Sequence, residues 1–146
     1  MENINWLSIV LAALIPMVTG FIYYHPKLFG TSWMNSLGLT VEECKKVNKA
    51  KMFGVSLIMA FLLAFFLVNF NNMPGQEGEF DTFAHGAFHA VFLTIFFAMP
   101  LLVTNGLFEL RNFKNLAINT LYWFINLALM GGIVDAMNHW PNEMIY

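Results

Sequence analysis

The sequence predicts an all-α protein, a four-helix transmembrane bundle that forms one integral membrane domain over residues 1–146. Hydrophobic residues make up 58% of the chain and charged residues 11%, whereas soluble domains average about 45–50% and about 25%. Four stretches, residues 6–24, 52–70, 84–103 and 116–134, contain no Lys, Arg, Asp or Glu. Each approaches the roughly 20 apolar residues that cross the hydrocarbon core of a bilayer.

The positions of the basic residues predict the topology. Residues 25–51 hold five of the seven lysines and arginines, and residues 104–115 hold Arg111 and Lys114. Cytoplasmic connectors carry the excess of Lys and Arg, so both segments are predicted to be cytoplasmic and both termini outside, in the plasma (inner) membrane. The chain begins with Met1-Glu2 instead of a basic region. The first span is therefore expected to remain in the membrane and not to be cleaved as a signal peptide.

The first span is predicted to end at His25-Pro26, because the residue before a proline disfavours helical backbone. Pro16 lies in the middle of this span. It should kink the helix and free the carbonyl group near Ala12. Thr19 is placed to satisfy a freed backbone group with its hydroxyl.

The first connector is predicted to contain short helices. Phe29, Trp33 and Leu37 recur at near-helical spacing, which is typical of a short helix lying on the membrane surface. Thr40, followed three residues later by Glu43, forms a capping box. The capped helix is expected to run through the lysines directly into the second span.

Helix-breaking residues mark the limits of the third span. Pro74-Gly75 predicts a turn before it, and Asn105-Gly106 predicts a turn after it. Pro100 is expected to kink its far end.

The second and fourth spans carry residues suited to contacts between helices. Ala60 with Ala64, and Ala128 with Gly132, are pairs of small residues four apart, which allow close approach of two helices. The fourth span also contains three side chains that can form hydrogen bonds between helices: Asn119, Thr120 and Asn126.

Acidic and imidazole side chains occur four residues apart near two span ends. Asp81, His85 and His89 lie on one stripe of the third helix, and Asp135 and His139 follow the same spacing at the end of the fourth. With the predicted topology, both span ends are on the outer side of the membrane. Five such ligands suit a divalent transition metal such as zinc.

The same five residues are open to two other interpretations. Histidine titrates near neutral pH, so the set could relay protons. It could also have an ordinary interfacial or packing role, with a neutral histidine bonded to a neighbouring helix. Ionisable groups are costly within a membrane span, so their presence there favours a functional role over a packing role. His25 is predicted to lie on the cytoplasmic side, and it is interpreted as an interfacial cap residue.

Other function classes find little support in the sequence. No nucleophile–base or phosphate-cradling motif is present, which argues against an enzyme, and no basic patch interleaved with aromatics indicates nucleic acid. Cys44 is the single cysteine. The expected partners are the lipid bilayer and a second copy of the chain, because four short helices enclose little room for a solute path.

A set of short motifs resembles a known family. The chain is similar to the small four-span bacterial membrane proteins grouped as domain of unknown function 1761. The resemblance rests on residues in both connectors and at several span ends: Gly20, Tyr24, Pro26, Phe29-Gly30, Trp33, Leu37-Gly38-Leu39-Thr40, Asn105, Phe108-Glu109, Tyr122 and Gly131-Gly132. It implies a four-helix bundle resident in a membrane, and it implies no activity and no catalytic residues.

The sequence thus leads to two functional hypotheses. The first is a non-enzymatic structural or interaction component of the membrane. The second is a protein that handles a metal, a proton or a solute through Asp81, His85, His89, Asp135 and His139.

Overall fold

The computed structural model describes residues 4–71 and 81–138. For Asn71 it describes only the backbone. The predicted turn at Pro74-Gly75 and the candidate residue His139 lie outside the described residues. The helices are α1 (Trp6–Tyr23), α2 (Thr31–Leu37), α3 (Val41–Lys46), α4 (Lys49–Asn71), α5 (Phe83–Leu93), α6 (Met99–Phe108) and α7 (Phe113–Met137). Five-residue π-helical turns lie at Pro26–Gly30 and Thr94–Ala98.

The all-α fold class is confirmed, with four helices long and apolar enough to cross a membrane: Trp6–Tyr23, Lys49–Phe70, Phe83–Phe108 and Phe113–Met137. The last of these is the most buried, because α7 packs against α1, α4, α5, α6 and α2. The core lies between α1, α4 and α7. Ala60 and Ala64 are buried there, so the small pair predicted in the second span does mediate close packing.

Two predicted boundaries are corrected by the structure. The helix that begins at the Thr40 capping box does not continue into the second span, because Val47 is extended and the side chain of Asn48 accepts the amide N–H of Lys51 to cap α4. The turn predicted at Asn105-Gly106 is helical instead. Gly106 is buried against the side chain of Leu116, and this packing carries the third span on to Phe108.

Other local predictions are confirmed. α1 ends at Tyr23 and His25 is extended, as the His25-Pro26 pair requires. The capping box is present, with the Thr40 amide 2.8 Å from a Glu43 carboxylate oxygen. The hydrogen bonds from Thr40 lower the pKa of the Glu43 carboxyl.

The prolines within the spans are accommodated differently. α1 continues through Pro16, and the hydroxyl of Tyr122 on α7 donates to the Pro16 carbonyl at 2.7 Å. The Thr19 hydroxyl lies 2.8 Å from the Ile15 carbonyl and 2.5 Å from Oδ1 of Asn126, so it serves the contact between α1 and α7. In the third span the π-helical turn ends at Ala98, two residues before Pro100, whose missing N–H interrupts the regular bonding pattern.

The bundle has two different ends. At the first, which we call the terminal end, the Asn5 amide donates to Oδ1 of Asn138 at 2.8 Å, and Nδ2 of Asn138 donates to the Ser8 hydroxyl at 2.7 Å. These bonds join the start of α1 to the end of α7. The opposite, connector end carries α2, α3 and the α6–α7 loop.

Candidate functional site

Two glycines bring α5 and α7 into backbone contact near the terminal end. Gly86 and Gly131 are both buried, and a β-carbon on Gly86 would overlap the Gly131 carbonyl oxygen and the β-carbon of Asp135. A β-carbon on Gly131 would in turn meet Ala90. The helix axes can approach this closely because neither glycine has a side chain. Side chains next to the contact are therefore brought together.

The contact brings together His85 and Asp135. Nδ1 of His85 lies 2.9 Å from Oδ2 of Asp135, and their side chains are 16% and 1% exposed. Asp135 is in the last turn of α7, where the negative end of the helix dipole disfavours a carboxylate. A buried carboxylate in this position needs a hydrogen-bonded, positively charged partner, and the imidazole of His85 can supply both properties.

The other predicted residues surround this pair. The His89 ring lies one turn deeper, with its centroid 4.2 Å from that of His85 and 6.1 Å from that of Phe70. Asp81 and His89 are both within electrostatic range of the Asp135 carboxylate. We call Asp81, His85, His89 and Asp135 the Asp/His cluster. Four of the five candidate residues are thus neighbours, and His139 is outside the described part of the chain.

Within residues 4–71 and 81–138, no three His, Cys, Asp or Glu side chains have an arrangement that could hold a metal ion. Structural zinc sites use four protein ligands, and catalytic sites use three. The described geometry is a hydrogen-bonded carboxylate–imidazole pair with a second imidazole beside it. Such a pair can hold, accept and release a proton.

His25 lies at the connector end of the bundle. Its Nδ1 accepts the Lys27 amide N–H at 3.3 Å, so it caps the turn after α1. The predicted role of His25 as a cap residue is confirmed.

A polar network at the connector end joins α2 to α7. Oδ1 of Asn119 accepts hydrogen bonds from the Tyr24 hydroxyl at 3.1 Å and the Trp33 indole at 3.2 Å. Nδ2 of Asn119 donates to Asn115, whose own amide donates to the Ser36 hydroxyl. The sequence predicts hydrogen bonds for Asn119 but does not identify its partners, which are Tyr24 directly after α1 and Trp33 on α2. Asn115 and Asn119 are four apart, and this repeat could have indicated the polar face of α7.

Beside this network lies a cavity of about 340 Å³ between α2, α6 and α7. We call it the connector-end cavity. It is lined by apolar side chains and by polar or charged ones: Trp33, Leu37, Leu102, Asn105, Gly106, Glu109, Arg111, Asn115, Leu116, Asn119 and Thr120. The sequence did not predict this cavity, because its walls come from three separate helices.

A family model described as protein of unknown function (DUF1761) matches residues 7–134. The chain belongs to this DUF1761 family. No curated protein and no solved structure matches the chain. The family description assigns no function, so the functional argument for this DUF1761 protein depends on its own geometry.

The two polar regions of this DUF1761 protein are separated by its core. The stripe of polar residues on α7 reaches Asn126, whose amide donates to the Tyr122 carbonyl. Leu127, Met130 and Val134 follow, and all three are buried. These apolar side chains lie between Asn126 and the terminal end, so the two regions are distinct sites.

Proposed function

We propose that this chain is a non-enzymatic membrane protein that takes up and releases a proton at the Asp/His cluster. The observation that carries the proposal is the pairing of His85 with the buried carboxylate of Asp135 at the glycine contact between α5 and α7. An ionisable pair within spanning helices is costly, and a functional role is the usual reason for its presence. Protonation or deprotonation of this pair would change how tightly the third span packs against the fourth.

The surroundings support proton binding more than a conducting path. His89 gives a second imidazole beside His85, and Leu127, Met130 and Val134 separate the cluster from the polar residues deeper in α7. A path for a solute would therefore need a second copy of the chain. The third span has side chains available for such a contact or for lipid, since Phe88, Phe92 and Phe96 are exposed.

We further propose that the terminal end faces outward and the connector end faces the cytoplasm of the plasma membrane, in accordance with the basic residues. In intact cells, a membrane-impermeant maleimide should leave Cys44 on α3 unlabelled, and permeabilisation should allow labelling. A Glu2→Cys variant in a Cys44→Ser background is the control and should label without permeabilisation. Ready labelling of Cys44 in intact cells would reverse the orientation.

The proton proposal is tested by histidine side-chain NMR of the protein in lipid nanodiscs. In Asp135→Asn, the ring nitrogen signals of His85 should shift from those of the wild type, because Nδ1 loses the carboxylate oxygen that lies 2.9 Å away and with it a charge-assisted hydrogen bond. The substitution conserves volume, so the glycine contact is retained. The His25 signal is the internal control, since His25 lies at the connector end, and its chemical shifts should be the same in both proteins.

Two outcomes would contradict the proposal. One is the finding of identical ring nitrogen signals for His85 in the wild type and in Asp135→Asn. The other is a joint loss of the His85 and His89 signals on addition of one equivalent of Zn²⁺, which would favour the metal hypothesis and a ligand set completed by further residues.

A further inference from the structure

We propose that the segment joining α3 to α4 binds the headgroups of anionic phospholipids at the membrane surface. We call residues 39–51 the basic elbow. They include α3, the break in the helix at Val47-Asn48 and the start of α4. The basic elbow lies at the connector end of the bundle, so this binding is independent of the Asp/His cluster at the terminal end.

A break in the helix separates the two halves of the basic elbow. α3 ends at Lys46, Val47 is extended, and the side chain of Asn48 accepts the amide N–H of Lys51 to cap α4. α3 is therefore not a continuation of the span that α4 begins. It can lie along the membrane surface while α4 crosses the hydrocarbon.

Lipid is the surrounding that the position of the basic elbow predicts. None of the residues of α3 is buried, and α3 has no extensive contact with another helix among the described residues. Residues 49–59 of α4 are exposed as well, and they cover about three turns, which is the whole circumference of the helix. Because α4 is long and apolar enough to cross a membrane, its first turn lies at the level of the headgroups.

The charges of the basic elbow select an anionic headgroup. Four exposed lysines lie within seven residues: Lys45, Lys46, Lys49 and Lys51. In the part of the chain that the structure describes, no carboxylate forms an ion pair with any of them. The carboxylate of Glu43 accepts the amide and the hydroxyl of Thr40, both at 2.8 Å, and is held at the start of α3. Clustered ammonium groups without a partner in the protein are complementary to a negatively charged membrane surface.

Apolar side chains of the same segment suit the boundary between headgroups and hydrocarbon. Leu39, Val41 and Val47 are 36%, 50% and 48% exposed. Cys44 lies three residues after Val41, on the same side of α3. Aliphatic side chains next to lysines are typical of segments that lie in the interface. The aliphatic groups can enter the acyl region while the long lysine side chains reach the phosphates.

The proposal predicts a preference between two lipids. Phosphatidylglycerol carries a net negative charge, whereas the phosphate of phosphatidylcholine is balanced by its own choline. Native mass spectrometry of the full chain with equal amounts of both should therefore detect preferential retention of phosphatidylglycerol. A single replacement such as Lys49→Gln should weaken this retention about fivefold, the factor expected for one lysine near an anionic surface.

Variants with all four lysines replaced separate charge from the identity of the side chain. Glutamine at the four positions should remove the preference for phosphatidylglycerol, and arginine at the same positions should keep it. The other three basic residues give the matched control, since they are also exposed at the connector end: Lys27→Gln, Arg111→Gln and Lys114→Gln in one chain. This control variant should keep the preference. Circular dichroism checks that all variants retain their helices.

Hydrogen exchange of the protein in lipid nanodiscs gives a second readout. The amide hydrogens of α3 should exchange more slowly in nanodiscs that contain phosphatidylglycerol than in phosphatidylcholine alone. Concentrated salt should remove the difference, because it screens the charges. The variant with four glutamines should exchange equally in both lipids.

Three results would overturn the proposal. The first is an unchanged preference for phosphatidylglycerol in the variant with four glutamines. The second is an equal loss of preference in the control variant, which would assign the effect to total charge and not to the basic elbow. The third is equal exchange of α3 in both lipids for the wild type.

Discussion

Replacement of His85 by alanine is expected to destabilise the protein by about 1–3 kcal/mol, the usual cost of leaving a buried polar group without its hydrogen-bond partner. The Asp135 carboxylate is 1% exposed and sits 2.9 Å from Nδ1 of His85. Without the imidazole it would remain buried in the last turn of α7, where the helix dipole also opposes its charge. Unfolding by sodium dodecyl sulfate in mixed micelles, followed by circular dichroism, measures the loss.

The pH dependence of the His85→Ala variant gives a second readout. Acidification protonates the unpaired Asp135 carboxyl and removes the buried charge, so the stability gap between wild type and variant should narrow as the pH falls. His25→Ala is the matched control: it also removes an imidazole, but at the connector end, and should cost little at any pH. If the difference in stability between wild type and His85→Ala were small at neutral pH, or did not change with pH, the His85–Asp135 pair would not be a charged one.

A methyl group at Gly86 is expected to push α5 away from α7. In Gly86→Ala the new β-carbon would overlap the Gly131 carbonyl oxygen and the β-carbon of Asp135. These are backbone or near-backbone atoms that cannot rotate aside. Overpacking of a well-packed contact typically costs about 1–3 kcal/mol, and the displacement would also lengthen the His85–Asp135 hydrogen bond. The same detergent unfolding assay measures the first effect, and the ring nitrogen signals of His85 in NMR spectra measure the second.

Gly54 supplies the matched control for this experiment. It lies within α4, and a β-carbon there would meet nothing within 4 Å. Gly54→Ala should therefore stabilise the helix by about 0.5–1 kcal/mol, since alanine loses less backbone freedom than glycine. If both alanine variants were equally stable, the close approach of α5 and α7 at Gly86 would be contradicted.

Part of the candidate site could be read from the sequence. A four-residue period places Asp81, His85 and His89 on one stripe of a helix, and an even number of spans brings Asp135 to the same end of the bundle. The pairing of His85 with Asp135 could not be read in this way, because it depends on which helices touch and at what rotation. Gly86 and Gly131 determine that rotation, and only Gly131 belongs to the motifs that resemble the family.

The connector end illustrates the limit more clearly. The polar residues of the fourth span were visible in the sequence, yet Asn119 bonds to Tyr24 and Trp33, which are 95 and 86 positions away. Oγ1 of Thr120, one residue later, has no hydrogen-bond partner within the part of the chain that the structure describes. Adjacent residues on a helix point in different directions, so the packing of α2 and α6 decides which of them is satisfied.

The sequence by itself determined the number of spans, the all-helical class and several helix ends, including the break at His25-Pro26 and the cap at Thr40. The reason is local: lipid offers no hydrogen bonds, so an apolar stretch of about 20 residues must satisfy its backbone internally as a helix. Only the tertiary structure decided that α7 is the central helix, that the third span continues to Phe108, and that His85 meets Asp135. These features depend on the volumes of side chains that face each other from different helices. A glycine at such a position lets two backbones approach closely, and a larger residue keeps them apart.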